Sequence, residues 1–339
     1  MPCQVTIKPS NHVFSVSGDD TILDGALREG FNIAYGCRNG ACGSCKGKLL
    51  QGSVDYGAYQ ESALSDTDKK QGYALFCQAK PVSDVVIECR EISAIKDIQV
   101  RTLPCRVQKL ERLAPDVMQI HLRLPANERL QFLAGQYIDI LTKSGLRRSL
   151  SLANAPHDDA VLQLHLRNYG GPFSNYVFNT LKEKDILRLE GPLGTFFLRE
   201  DRDKPLILLA SGTGFAPIKA IIEHAIHKKL KRPITLYWGG RRPKDLYLNH
   251  LAQAWAEKYP EQFSYVPVIS DALPEDEWTG RTGFVHRAVM QDFADLSTHQ
   301  VYACGAPIVI DSARTEFTSE RQLSEDDRSE ERRVGKECA

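Results

Sequence analysis

A chain of 339 residues, 42% hydrophobic and 25% charged, has the composition of a globular protein with two or three domains. Its 43 Lys+Arg balance 43 Asp+Glu, which excludes the one-signed field that nucleic acid or an anionic membrane surface would call for. No apolar run approaches the roughly 18 residues of a transmembrane helix. The opening Met1-Pro2-Cys3-Gln4-Val5-Thr6-Ile7 lacks a signal-peptide pattern, and nine cysteines without an export signal predict a reducing cytoplasm.

Residues 1–95 read as a small β-rich unit. Val5–Ile7 and His12–Val16 are strand-like around a turn at Pro9-Ser10-Asn11, and Thr21–Arg28 has helical spacing, with Asp19 and Asp20 as cap candidates. The glycine-rich loop Tyr35-Gly36-Cys37-Arg38-Asn39-Gly40-Ala41-Cys42-Gly43-Ser44-Cys45 follows, then strands at Lys46–Leu50 and Val85–Cys89. The loop spaces its cysteines C-x4-C-x2-C, and Cys77 comes 31 intervening residues later. That is the plant-type [2Fe–2S] ligand spacing, with the fourth thiolate supplied from a distant segment. Gly36, Gly40 and Gly43 permit the tight curl that three thiolates from one loop demand. A zinc site would show a second C-x2-C pair, and a disulfide framework belongs to small exported domains. Cys3, Cys89, Cys105, Cys304 and Cys338 are scattered without ligand spacing.

Residues 96–102 form a short polar linker, and from Leu103 the pattern turns to closely spaced alternating strands: Cys105–Leu110, Val117–Leu124, Gly135–Ile140 and Leu162–Arg167. Residues 103–200 are therefore expected to form a small antiparallel barrel. Within it lies Arg147-Arg148-Ser149-Leu150-Ser151-Leu152-Ala153-Asn154. An arginine at a strand end with hydroxyls beside it suits a phosphate and a polar ring edge. Gly170-Gly171-Pro172-Phe173-Ser174 then opens the apolar-periodic segment Tyr176–Leu181, a glycine turn before a helix and so a ready anion site.

Residues 203–327 read as α/β. The apolar run Pro205–Ala210 suits a buried parallel strand. It feeds Ser211-Gly212-Thr213-Gly214-Phe215-Ala216-Pro217 and a helix from Ile218, placing N–H groups and the helix dipole where a pyrophosphate would sit. The strand Ile234–Gly240 ends at Arg241-Arg242-Pro243, and Gln300–Cys304 runs into Gly305-Ala306-Pro307. Residues 328–339 break this character, with seven charges in twelve positions. No face there can be buried, so disorder is expected. The tail is anomalous, unlike a native ending for what precedes it.

These segments resemble, in order, a plant-type ferredoxin domain, the flavin barrel of ferredoxin reductases and their nicotinamide-binding domain. Over residues 1–327 the chain is similar to the CDP-6-deoxy-Δ3,4-glucoseen reductase family, notably in Leu124–Tyr137 and Trp238–Pro243. The resemblance implies a multidomain fold: a β-grasp ferredoxin domain (α+β), an antiparallel β-barrel FAD domain and an α/β parallel-sheet nicotinamide domain. It implies that Cys37, Cys42, Cys45 and Cys77 hold the [2Fe–2S] cluster. Arg148, Ser149, Ser151, Gly170, Gly171 and Ser174 would hold FAD, with Leu150 standing where the family's R-x-(Y/F)-S motif has an aromatic ring. Gly212, Thr213, Gly214, Pro217, Arg241, Cys304 and Gly305 would bind NADH, NADPH being the alternative, and Ser151 and Cys304 would flank the reacting rings. The implied activity passes a hydride from NAD(P)H to FAD, single electrons to the cluster, and those electrons to a partner, a pyridoxamine-phosphate dehydrase of deoxysugar biosynthesis. The alternatives are an oxygenase reductase component and, in a different class, a cofactor-depleted structural or binding protein.

Overall fold

The computed structural model describes residues 2–92, 95 and 98–332. The chain divides into two compact units, residues 1–99 and 100–339.

In the first unit the strands are β1 (Cys3–Lys8), β2 (Val13–Val16), β3 (Lys46–Gln51), β4 (Val54–Asp55), β5 (Tyr73–Leu75), β6 (Lys80–Pro81) and β7 (Val85–Glu88), with helices α1 (Ile22–Arg28) and α2 (Asp66–Lys70). The main sheet runs β2-β1-β7-β3-β5, and β4 pairs with β6 in a small ribbon. Only β1 and β7 are parallel, so the sheet is mixed. Alternation sends Val5 and Ile7 of β1 and Val85 and Ile87 of β7 into the core, where Ile22, Leu23 and Ala26 of α1 cover them. The cap of α1 is Thr21, not the expected Asp19 or Asp20: its hydroxyl accepts from the Asp24 N–H while the Asp24 carboxylate reaches back. Asp20 instead pairs with Arg28 and Asp19 with Lys80.

The second unit starts with a six-stranded antiparallel sheet. Its strands are β8 (Arg101–Ala114), β9 (Val117–Arg123), β10 (Tyr137–Leu141), β11 (Arg147–Ser151), β12 (Leu162–Arg167) and β13 (Ile186–Leu193), with α3 (Pro172–Asn179) before the last. The order is β11-β10-β13-β8-β9-β12, and a bridge between Leu152 and Leu164 joins the two end strands, closing the barrel. The linker expected over 96–102 is shorter than that, because β8 already begins at Arg101; Lys96 and Asp97 lie outside the described residues.

A parallel sheet follows, ordered β17-β16-β15-β14-β18-β19. Its strands are β14 (Leu206–Ser211), β15 (Ile234–Gly240), β16 (Phe263–Ile269), β17 (Arg281–Thr282), β18 (Gln300–Gly305) and β19 (Arg328–Arg332), interleaved with α4 (Phe215–His227), α5 (Asn249–Lys258), α6 (Val285–Asp292) and α7 (Pro307–Arg321). Leu206–Ala210 are all buried, as a central parallel strand requires. No described helix is long and apolar enough to cross a membrane.

The strand β19 corrects the expectation of disorder from residue 328. It pairs parallel to β18, from Val301 opposite Arg328 to Gly305 opposite Arg332. An edge strand is held by backbone pairing, so it needs no apolar face. Its charges meet opposite charges: Arg328 lies 2.8 Å from Glu330, and Arg332 lies 2.6 Å from Asp311 of α7. The expectation for residues 333–339, Cys338 among them, falls outside the described residues.

Phe76 is fully buried against Gly47 of β3, where an added Cβ would stand 2.2 Å from the ring. That contact presses the segment leading to Cys77 against the strand that follows Cys45, with the Phe76 N–H donating to the Cys45 carbonyl at 3.1 Å. Gly47→Ala is expected to destabilise the first unit by about 1–3 kcal/mol through overpacking. Thermal unfolding followed by circular dichroism measures it, and an unchanged Tm would show that the ring can move aside.

Candidate functional site

The cysteine loop is shaped by left-handed backbone at Arg38, Gly40 and Gly43, with φ of 62°, 74° and 73°. A Cβ at Gly40 would lie 2.6 Å from the Ala58 carbonyl oxygen, so only glycine fits that approach. Arg38 bonds Asp24 at 3.1 Å, and its carbonyl accepts from the Gln78 side chain at 3.1 Å. The first bond fastens the loop to α1 and the second to the segment bearing Cys77.

The four thiols stand as two pairs. Cys37 is hydrogen-bonded with Cys42, and Cys45 with Cys77. The hydrogen bond from Cys37, with N–H groups of Cys37 and Ser44 at 3.3 and 3.5 Å from its sulfur, draws the Cys42 thiol down to about 5. Its partner is pushed up by that same bond and by burial. Donation from Cys45 likewise lowers Cys77, while Cys45 itself rises. Each pair thus shares a proton that a metal cation would displace. Among the described residues, no three His, Cys, Asp or Glu converge on one metal ion. Two pairs of thiols are the donor set that would hold a dinuclear iron–sulfur cluster.

The barrel seam gathers the flavin candidates. From the bridge Leu152–Leu164, β11 runs back to Arg148 while β12 runs on towards Asn168, so the arginine and the Gly170-Gly171 turn share one end of the seam. Arg148 is half-buried, and α3 starts at Pro172 behind its N-cap Gly171. Gly170 takes φ of 82°, and the Ser174 hydroxyl donates to the Gly171 carbonyl at 3.0 Å. A guanidinium beside a helix N-terminus matches a pyrophosphate. The neighbouring Arg147 is engaged with Asp139 and Glu190 at 2.6 and 2.8 Å. The Ser149 hydroxyl donates to Asp139, leaving its lone pairs for a ligand. Leu150 points into the barrel core, 5% exposed.

The dinucleotide candidates lie at the carboxyl ends of the parallel strands, the usual ligand edge of such sheets. Gly212–Gly214 form one 3-10 turn leading into α4, which includes Pro217, and Thr213 is partly open to solvent. The Trp238 indole donates to the Gly212 carbonyl at 3.2 Å and stacks on Phe215 with ring centroids 3.8 Å apart. A Cβ at Gly214 would lie 2.0 Å from the Cys304 carbonyl oxygen, and one at Gly305 would lie 2.5 Å from the Ser211 Cβ. The two turns therefore pack backbone to backbone. Arg241 is exposed at the end of β15. Its N–H and that of Arg242 donate to Asp245 at 2.9 and 3.0 Å, whereas the Arg242 guanidinium is held by Asp276.

Ser151 and Cys304, distant in sequence, meet on one carboxylate. Glu331 of β19 accepts from the Ser151 hydroxyl at 2.9 Å and from the Cys304 thiol at 3.6 Å. Sequence reasoning missed Glu331 because it read that segment as disordered. It also missed Lys219, 6% exposed on α4, although a lysine inside an otherwise apolar helical face was a visible signal. His165, whose ring bonds the Tyr247 hydroxyl at 2.9 Å, was missed as well. Burial, with the Lys219 and His121 charges nearby, holds that imidazole neutral.

Three family models match this chain: a 2Fe-2S iron-sulfur cluster binding domain over residues 5–82, an oxidoreductase FAD-binding domain over 104–198 and an oxidoreductase NAD-binding domain over 208–315. The chain is 42% identical over 318 residues to the CDP-6-deoxy-L-threo-D-glycero-4-hexulose-3-dehydrase reductase of Yersinia pestis, covering 94% of each. It is 36% identical over 315 residues to the terephthalate 1,2-dioxygenase reductase component 1 of Comamonas sp, covering 92% of each. Among solved structures it is similar to GcoB, an Amycolatopsis reductase, with a TM-score of 0.78 and 32% identity over 97% of this chain and 98% of that one.

Arg148→Ala is expected to lower flavin occupancy of the purified protein by about tenfold or more, the loss of one charge-assisted phosphate contact. Absorbance of released flavin checks it, with the iron content unchanged as the internal control.

Proposed function

Because the chain belongs to the family of ferredoxin-type [2Fe–2S], FAD- and NAD(P)H-dependent reductases, we propose that its acceptor is a dehydrase of deoxysugar biosynthesis acting on a nucleotide-linked sugar. When bound, FAD takes electrons in pairs from NAD(P)H and releases them singly to the [2Fe–2S] cluster, which passes them to a partner component. The observation that carries the acceptor assignment is the 42% identity, over 94% of both chains, to a hexulose-3-dehydrase reductase. The 36% identity to a dioxygenase reductase component supports the second reading, in which an oxygenase receives the electrons. We place the protein in a reducing cytoplasm, where its cysteines, none of them in a disulfide among the described residues, keep their thiols.

The residues divide the work as follows. Cys37 with Cys42, and Cys45 with Cys77, would hold the cluster as two pairs of thiolates. The N–H groups aimed at the Cys42 sulfur favour electron-rich sulfur and help set the potential. Arg148 and the N-terminus of α3 hold the flavin phosphates, and Ser151 offers its hydroxyl at the polar edge of the flavin ring. The Gly212–Gly214 turn takes the dinucleotide pyrophosphate, and Arg241 meets the adenosine ribose. Cys304 and Gly305 form the wall that the nicotinamide faces, small enough to let two rings approach.

Mixing the reduced protein with a purified dehydrase or with an oxygenase component, and following cluster reoxidation, decides the acceptor. Rapid reoxidation by the oxygenase alone would overturn the dehydrase reading. Cys42→Ser should abolish electron delivery to one-electron protein acceptors while leaving NADH-to-dye activity within about twofold, because the flavin half does not use that sulfur. Loss of both activities in a folded variant would contradict this division.

A further inference from the structure

We infer that Lys219 is a positioning residue for hydride transfer, its buried ammonium tying the helix behind the Gly212–Gly214 turn to the strand end that carries Ser151. Lys219 lies five positions after Gly214, on the first turns of α4. Its ammonium leaves the parallel-sheet layer and reaches the barrel, donating to the Ala153 carbonyl at 3.0 Å and to the Gln163 side chain at 3.4 Å. Glu223, one helical turn on, supplies the third acceptor at 2.8 Å. Three donors on an ammonium thus meet three acceptors.

Ala153 lies two residues past Ser151, and its N–H donates to the Gln163 carbonyl at 2.7 Å. The atom that Lys219 grips is therefore part of the barrel seam and not a mobile loop. Two further ties run from β12: His165 to Tyr247 at 2.9 Å and Arg167 to Asp245 at 3.4 Å. An apolar side chain of similar length would bury at this position with less desolvation, so stability alone does not account for the charge. What a hydrogen-bonded ammonium adds is a fixed distance. The reacting atoms must approach to about 3–3.5 Å, and a misplacement of about 1 Å costs on the order of a hundredfold in rate. One residue that links the dinucleotide turn to the flavin strand sets that approach without touching either ring.

The inference rests on the placement of Ser151 and Gly212–Gly214 proposed above. Stopped-flow reduction of the FAD-loaded protein by NADH tests it in Lys219→Met. The flavin reduction rate should fall about 10- to 100-fold and the long-wavelength charge-transfer absorbance of reduced flavin with NAD+ should weaken, while the half-saturating NADH concentration changes by less than about threefold. Glu223→Gln keeps an acceptor oxygen and serves as the comparison. It should lower Tm yet leave the rate and the band unchanged, separating positioning from stability. If Lys219→Met does not load flavin, Lys219→Gln replaces it, its shorter amide expected to slow reduction in the same direction. A loaded variant reduced within about twofold of the parent rate, with a full charge-transfer band, overturns the inference. A parent protein that shows no such band fails the placement of Ser151 and the glycine turn instead, and the rate comparison still judges Lys219.

Discussion

The second unit depends on one contact without side chains: Gly214 against the carbonyl of Cys304, where even a Cβ would stand 2.0 Å away. That approach seats the turn after β14 against the turn after β18, and Gly305 against Ser211 repeats it from the other side. Two backbones in contact leave a shallow floor at the carboxyl edge of the sheet, where a flat ring and a pyrophosphate can lie close to the chain. Trp238 and Phe215 stack beneath the floor, so the turn is backed by a fully buried aromatic layer.

The first unit solves the corresponding problem with sulfur. Three of the four thiols at C-x4-C-x2-C and Cys77 come from one loop bent through left-handed positions, and the fourth is brought in by β5 pairing with β3. The electrostatics are local: N–H groups of Cys37 and Ser44 face one sulfur, and each thiol is hydrogen-bonded to one other. Zero net charge fits this arrangement, since a cluster supplied with electrons from its own chain has little need of a long-range field for steering.

The iron–sulfur domain was legible because the spacing of Cys37, Cys42 and Cys45 is a chemical demand expressed within eleven consecutive residues. The alternating barrel strands and the apolar run of β14 were legible because burial imposes a period on the sequence. The cap of α1 was misassigned by one or two residues: aspartates and threonine compete as caps, and only the geometry of Thr21 with Asp24 decides. The strand at Arg328–Arg332 was hidden, since composition counts charges without knowing that Arg328 pairs with Glu330 along the strand and Arg332 with Asp311 on α7.

Local chemistry written in the chain determined which cofactors this protein is built for: four cysteines at ligand spacing, an arginine–serine strand end and two glycine turns. The tertiary structure alone decided which of those residues meet. Ser151 and Cys304 share the Glu331 carboxylate across 153 positions of sequence, and Lys219 reaches from α4 to the strand end that follows Ser151. Such meetings, Lys219 of α4 with the Ala153 carbonyl among them, leave no period or motif, because a hydrogen bond depends on distance in space, and that distance is set by how the barrel closes and where α4 packs.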